Sequence, residues 1–358
     1  MIIFVAIFFI LIILGMRLTN YNNGYIDRET TKKINGIFVF LIVLSHFSSY
    51  IKLTGDLNEP YAEMKRFLGQ LVVTTFLFYS GYGILESIKG KKDKFINSLP
   101  KRTLKLLIHF DIAVLLFAIL GFVIGKDYPL SRILLSFTGW GSIGNSNWYV
   151  FVILVLYMLT FLIYKPFNKK NESYWVRSII FLFISIGLVY LLKYLKDGKA
   201  TQWYNTILCY NAGIFYSLMK ERIDKFFKGH TIRWIFAILI LVAVFIFAKE
   251  HRNHLSMYQL HGIVFCLIIT LLSMKLVIKS KILEFFGNHV FSIYMLQRIP
   301  MIIGKEIGLD KLNIYLYFAF SFILTIALAC SFDFLMKKLD KLLFDRKNDK
   351  KIKLIENT

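Results

Sequence analysis

Two ionisable side chains stand inside stretches that are otherwise apolar: His46 in INGIFVFLIVLSHFSSY and Arg298 in FFGNHVFSIYMLQRIPMII. Such groups are costly at membrane depth and tend to face a bundle interior, which makes them functional candidates by default. His46 follows Lys33 by 13 residues, roughly 19 Å of helical rise. Positions 42, 46 and 49 share one helical face, so the ring is directed at neighbouring helices rather than at lipid. An imidazole exchanges a proton near neutral pH. The same ring could instead make a helix-helix hydrogen bond that fixes packing. Arg298 sits too far from the basic edge of its segment to snorkel easily, so its charge is meant for the interior.

Other polar groups recur at the ends or insides of apolar runs. In TFLFYSGYGILESI, Ser80, Gly81 and Gly83 make a narrow surface that a helix or a substrate can approach. Ser80 has no activating neighbour in sequence. SLPKRTLKLLIHFD opens the next segment with Lys101, Arg102 and Lys105, which suit either a phosphate or anionic headgroups, and places His109 and Asp111 one or two turns deeper. SFTGWGSIGNSNWYVF is rich in Gly, Ser, Asn and aromatics. It can fold back into a bundle if its backbone is satisfied, with Asn147, Trp148 and Tyr149 lining a sugar site, or it can form an interfacial aromatic belt.

The elements that must carry these residues are membrane helices. Hydrophobic residues make up 57% and charged residues 18% of the chain, and mean hydropathy is +0.59, whereas soluble domains carry about 25% charged residues. Apolar windows of about 19 residues fall at 2–18, 34–51, 70–88, 106–125, 148–164, 176–194, 203–219, 234–248, 258–278, 286–303 and 313–336. The fold class is therefore all-α, a polytopic integral membrane helix bundle of about 11 transmembrane helices. The first segment lacks the basic start and small-residue cleavage site of a signal peptide and is kept as a helix.

The net charge of +22, from 44 Lys and Arg against 22 Asp and Glu, lies in the connections. Positive-inside loops account for it, and nucleic-acid binding is set aside. Lys89, Lys91, Lys92, Lys94, Lys101, Arg102 and Lys105 make the connection after the third span cytoplasmic. Arg28, Lys32 and Lys33, then Lys165, Lys169, Lys170 and Arg177, then Lys220 to Arg233, and the tail with Lys337, Lys338, Lys341, Arg346 and Lys347 fall on the same side by alternation. The N-terminus is expected outside and the C-terminus in the cytoplasm. Cys209, Cys266 and Cys330 sit singly, with neither disulfide nor metal-ligand spacing, so no metal is expected.

These segments, in this order, resemble the acyltransferase-3 family of transmembrane acyltransferases over about residues 30–338. The family's first core helix ends in a His-Phe pair, matched by His46 and Phe47. Its Phe-rich helix ends in Ser-Gly-Tyr, matched by Ser80, Gly81 and Tyr82. A basic segment then enters the next helix, loosely matched by FINSLPKRTLKLL, and a Trp-Tyr pair opening a later helix resembles Trp148 and Tyr149. The terminal Gly-x-x-x-x-Ser-Ile-Tyr-Leu pattern resembles Gly287 through Leu296. Two positions depart: Gln297 stands where the family often has His, so no catalytic role is assigned to it, and Arg102 is the one arginine in a motif that usually has more.

The resemblance implies a ten-helix core at 30–338, an extra N-terminal transmembrane helix within 1–20 and a basic cytoplasmic tail at 339–358. It also implies transfer of an acyl group, usually acetyl from cytoplasmic acetyl-CoA, to a hydroxyl of an extracytoplasmic polysaccharide or lipid-linked sugar, a cell-envelope O-acetylation. Under that reading His46 removes the hydroxyl proton, Arg298 steadies an oxyanion, and Lys101, Arg102 and Lys105 bind CoA phosphates. Ser80, Tyr82, Asn147, Trp148 and Tyr149 are then acceptor or pocket residues. No fused transferase domain follows the last helix, so direct acylation of the acceptor is expected. A polysaccharide flippase or polymerase, or a small-solute transporter, would also be polytopic and polar inside. Such polymerases often carry a long outside loop, and such transporters often show repeats and paired broken helices. Neither feature is visible in the sequence.

Overall fold

The computed structural model of the chain describes residues 2–53, 58–165 and 173–345. The predicted loop lysines Lys169 and Lys170, and the tail residues from Arg346 onward, lie outside them. About 80% of the chain is helical. The longer helices are α2 (Arg28–Phe47), α4 (Leu71–Val123), α6 (Trp148–Tyr164), α7 (Tyr174–Leu195), α8 (Leu208–Phe227), α9 (Thr231–Glu250), α10 (Leu255–Ser273) and α15 (Ile314–Asp340). Shorter ones are α1 (Ile2–Leu14), α3 (Glu59–Leu68), α5 (Leu130–Phe137), α11 (Lys281–Asn288), α12 (Val290–Leu296), α13 (Arg298–Glu306) and α14 (Leu309–Leu312). Strands β1 (Met16–Leu18) and β2 (Leu276–Ile278) pair antiparallel.

Among the described residues, five helical segments are long and apolar enough to cross a bilayer: Glu59–Val123, Tyr174–Leu195, Thr231–Glu250, Leu255–Ser273 and Ile314–Phe344. The most apolar window of α9 is only 11% buried, and Ile232, Phe236, Leu239, Ile240 and Phe247 stand exposed along it. An exposed apolar face of that size is compatible with lipid and not with water. This is an all-α membrane protein.

Several segments differ from the apolar windows for identifiable reasons. α1 stops at Leu14, because Met16–Leu18 leaves the helix to pair with Leu276–Ile278, so the expected span over 2–18 is a 13-residue helix plus a strand. The windows at 70–88 and 106–125 belong to one helical run, α4, interrupted where Lys92 adopts φ 43° and ψ −129° amid a crowd of lysines. The window at 286–303 is divided into α11, α12 and α13. His289 leaves helical geometry at φ −109°, ψ 14°, and Pro300 has no N–H to offer the Leu296 carbonyl. α9, expected as a short span over 234–248, is a full 20 residues.

Helix starts follow local chemistry. Asp27 Oδ1 accepts from the Thr30 amide at the head of α2, Ser173 Oγ from the Trp175 amide at α7, and Asn313 Oδ1 from the Tyr315 and Leu316 amides at α15. Each fills an otherwise orphaned donor of the first turn. Lys337 and Lys338 stand at the other end of α15, where the helix dipole favours cations.

The chain forms two compact units. One comprises Met1–Ile42, Leu53–Thr103 and Trp148–Asn288; the other comprises Val43–Lys52, Leu104–Asn147 and His289–Thr358. In the first unit, small residues let helices touch backbone to backbone. A Cβ on Gly81 of α4 would meet the Tyr210 carbonyl oxygen of α8 at 2.0 Å, and one on Gly213 of α8 would meet the Phe78 carbonyl of α4 at 1.9 Å. Gly81 is therefore a packing residue. Gly287 of the terminal pattern has the same role against α2, where a Cβ would lie 2.1 Å from the Lys32 carbonyl. The loop before α2 is fastened by Asp224, which accepts from the Tyr25 hydroxyl at 2.7 Å and the Tyr21 hydroxyl at 3.0 Å. Burial and the adjacent Tyr216 hydroxyl hold the Tyr25 phenol far above its ordinary pKa.

Candidate functional site

His46 lies in the last turn of α2, within the second unit. The next residue, Phe47, is fully buried and packs its ring 4.7 Å from Tyr317 and 5.1 Å from Phe318 of α15. That anchor fixes where the His46 ring can point, and the ring faces Tyr294 of α12 with centroids 6.3 Å apart. Four residues beyond His46, the Tyr50 hydroxyl faces the Arg298 guanidinium. Arg298 in turn lies four residues beyond Tyr294.

The two contacts, 46 with 294 and 50 with 298, thus run along one seam in matched register. The imidazole and the guanidinium therefore stand along the same seam. Gln297 is fully buried and donates from Nε2 to the Tyr294 carbonyl at 3.1 Å, while the Tyr317 hydroxyl donates to the Met301 carbonyl at 2.5 Å. These bonds hold the interrupted helix in place beside His46. A proton acceptor and a fixed cation on one wall can remove a proton and stabilise a developing negative charge.

Two acidic side chains on α15 escaped the sequence reading. Asp333 accepts from His289 Nδ1 and from Ser292 Oγ. Asp340, two turns further along α15, takes Lys105 Nζ at 3.3 Å and His109 Nε2 at 3.2 Å. Lys105 also lies 4.8 Å from the Phe344 ring centre. The residue expected to face a donor phosphate is therefore already beside a carboxylate, and His109 has a structural partner. The available signal was an aspartate standing in the apolar run of α15.

The loop that carries Asn147 is braced by its own side chains. Asn147 donates from Nδ2 to the Gly139 and Gly141 carbonyls at 2.9 and 2.7 Å, so both amide hydrogens serve the loop. Asn145 is buried, with its Oδ1 accepting from the Ile143 amide, and Gly144 takes φ 113°, which an L side chain rarely adopts.

The remaining candidates belong to the first unit. Ser80 is hydrogen-bonded to the Tyr157 phenol, which is not a base that would activate it. Tyr82 meets Tyr216 edge-on at 6.2 Å. Tyr149 meets Trp148 at 6.0 Å and Phe76, one turn from Ser80, at 6.1 Å. Arg102 donates from Nε to Ser98 Oγ at 3.1 Å and stacks 5.0 Å from Phe95. Lys101 is exposed on the same helix.

A helical protein with several segments long and apolar enough to cross a bilayer is an integral membrane protein. The chain belongs to the acyltransferase-3 family, whose acyltransferase domain matches residues 34–334, and it is accordingly a membrane acyltransferase. Neither curated proteins nor solved structures yield a match to the chain. The matched region takes in the whole seam and begins after α1 and β1.

Proposed function

We propose that the protein moves an acetyl group from cytoplasmic acetyl-CoA to a hydroxyl of an extracytoplasmic polysaccharide or lipid-linked sugar. The observation that carries this reading is the register of His46 with Tyr294 and of Tyr50 with Arg298. It supplies a base and a cation along one seam in a chain of acyltransferase descent. In the reaction the acceptor oxygen attacks the thioester carbonyl while His46 takes the hydroxyl proton. Arg298 stabilises the oxyanion, the C–S bond breaks, and the proton passes to the departing thiolate. With the C-terminus inside and the Lys89–Lys105 connection in the cytoplasm, as the positive-inside rule favours, its lysines and arginine stand on the donor side.

Vesicle sidedness tests the proposal. Inside-out vesicles supplied with radiolabelled acetyl-CoA are expected to label the glycan, whereas sealed right-side-out vesicles are not. Labelling confined to right-side-out vesicles would put the donor on the other face and overturn the orientation.

The basic residues make a second prediction. Replacing Lys101, Arg102 and Lys105 together with alanine is expected to raise the apparent KM for acetyl-CoA, an effect that weakens in added salt. Because Asp340 already neutralises part of the Lys105 charge, Lys101→Ala and Arg102→Ala are each expected to weaken donor use more than Lys105→Ala. An unchanged donor dependence in an inserted triple variant would make these residues headgroup anchors.

A further inference from the structure

The β1–β2 ribbon of the first unit carries a pair of pockets with opposite chemistry on one face. Met16 pairs with Ile278 and Leu18 with Leu276, so these four side chains project from the same side of the ribbon. Met16, Ile278 and Leu276 line an apolar groove of about 310 Å³, completed by Phe9, Ile13, Phe38, Leu41, Phe265 and Ile269. Leu18 instead borders a polar pocket of about 500 Å³ with Thr19, Asn20, Thr231, Trp234 and Lys275. Met16 and Leu18 are two residues apart, roughly 6.6 Å along a strand.

Lys275 gives the polar pocket its character. Only 8% of the residue is exposed, and its Nζ donates to the Thr231 hydroxyl at 2.9 Å and lies 6.0 Å from the Trp234 ring centre. Both partners are neutral, and among the described residues no carboxylate pairs with it. A nearly buried ammonium with two donors still to place calls for an anion. The first turn of α9, which holds Thr231 and Trp234 and has no side-chain cap, adds unsatisfied amide groups of the same preference. The pocket is also firmly built: the Thr19 amide donates to the Lys275 carbonyl at 2.9 Å, and Trp234 Nε1 donates to the Leu271 carbonyl at 2.7 Å.

We propose that this face is a glycerophospholipid site, with the lipid phosphate at Lys275 Nζ and one acyl chain in the groove beneath the ribbon. Charge complementarity fixes the phosphate end, and the wholly apolar groove of ligand-binding size fixes the chain end. The site concerns the first unit alone and stands whether or not the acyl-transfer reading does.

Thermal unfolding of the delipidated full-length protein in detergent separates the two halves of the ligand. Saturating phosphatidylglycerol is expected to raise the midpoint by about 3 °C or more, while diacylglycerol, which lacks the phosphate, and glycerol 3-phosphate, which lacks the chains, each give little. Lys275→Gln is expected to reduce the phosphatidylglycerol response to that of diacylglycerol. An equal shift with glycerol 3-phosphate would identify a soluble phosphate ligand and overturn the proposal. An equal shift with diacylglycerol would reduce the site to ordinary lipid contact and overturn it too. Should Lys275→Gln not fold, the three-ligand comparison on the wild-type protein decides the matter alone.

Discussion

Replacing His46 with glutamine is expected to leave the protein inserted and folded while slowing acetyl transfer by about 10²- to 10⁴-fold, the contribution typical of a general base. Glutamine is the informative substitution because its amide preserves part of the hydrogen-bonding capacity of a packing histidine, yet it cannot take a proton near neutral pH. The surroundings favour a clean separation of the two roles. The end of α2 is anchored by Phe47 between Tyr317 and Phe318, so loss of the His46 ring should leave the helix where it is. Transfer per inserted molecule, measured with donor binding on the same preparation, distinguishes the outcomes. Lost turnover with donor affinity retained supports proton transfer. A His46→Gln variant that transfers acetyl at the wild-type rate would make His46 structural, and His261 would be the next histidine to test, since His109 is engaged by Asp340.

The apolar runs disclosed most of the helices because a bilayer imposes one simple length rule. α6, α7 and the long α15 stand where the windows place them. Hydropathy cannot see a backbone that changes conformation within an apolar segment. Met16–Leu18 continues directly from α1 in sequence, and what removes it from that helix is Leu276–Ile278, some 260 residues away. Pro300 was a legible interruption, since a missing N–H is a property of the residue itself, whereas the break at His289 leaves no such mark.

The site was legible to a similar extent. His46 and Arg298 stood out because ionisable groups within apolar runs are expensive wherever they occur. Their partners did not, because Tyr50 and Tyr294 are ordinary interfacial aromatics until the register of α2 against α12 and α13 is known. The basic segment shows the opposite error. Read linearly, Lys101, Arg102 and Lys105 are equivalent cations, but Arg102 is stacked on Phe95 and Lys105 is paired with Asp340. Ser80 and Gly81 divide similarly: the glycine is fixed by the close approach of Tyr210, and the serine finds a phenol rather than a base.

The second large effect is expected at Arg298, where replacement by glutamine should lower kcat by about 10²- to 10³-fold, the loss that follows removal of one oxyanion donor. Arg298→Lys should recover little of it, because a lysine keeps the charge without the planar fork that can bond Tyr50 and a substrate oxygen together. Tyr50 then supplies the control. Its hydroxyl faces the guanidinium, so Tyr50→Phe should loosen the cation without removing it and cost roughly tenfold, the scale of one hydrogen bond to a charged group. The ordering Arg298→Gln, then Tyr50→Phe, then wild type is what a positioned cation requires. The competing role is a structural one, in which the guanidinium merely ties α13 to the end of α2. In that case both variants would lower the unfolding midpoint and the inserted amount together, and the rate per folded molecule would stay at the wild-type value. Measuring kcat and thermal midpoint on the same purified variants separates these outcomes, and an unchanged kcat in folded Arg298→Gln would remove the arginine from the chemistry.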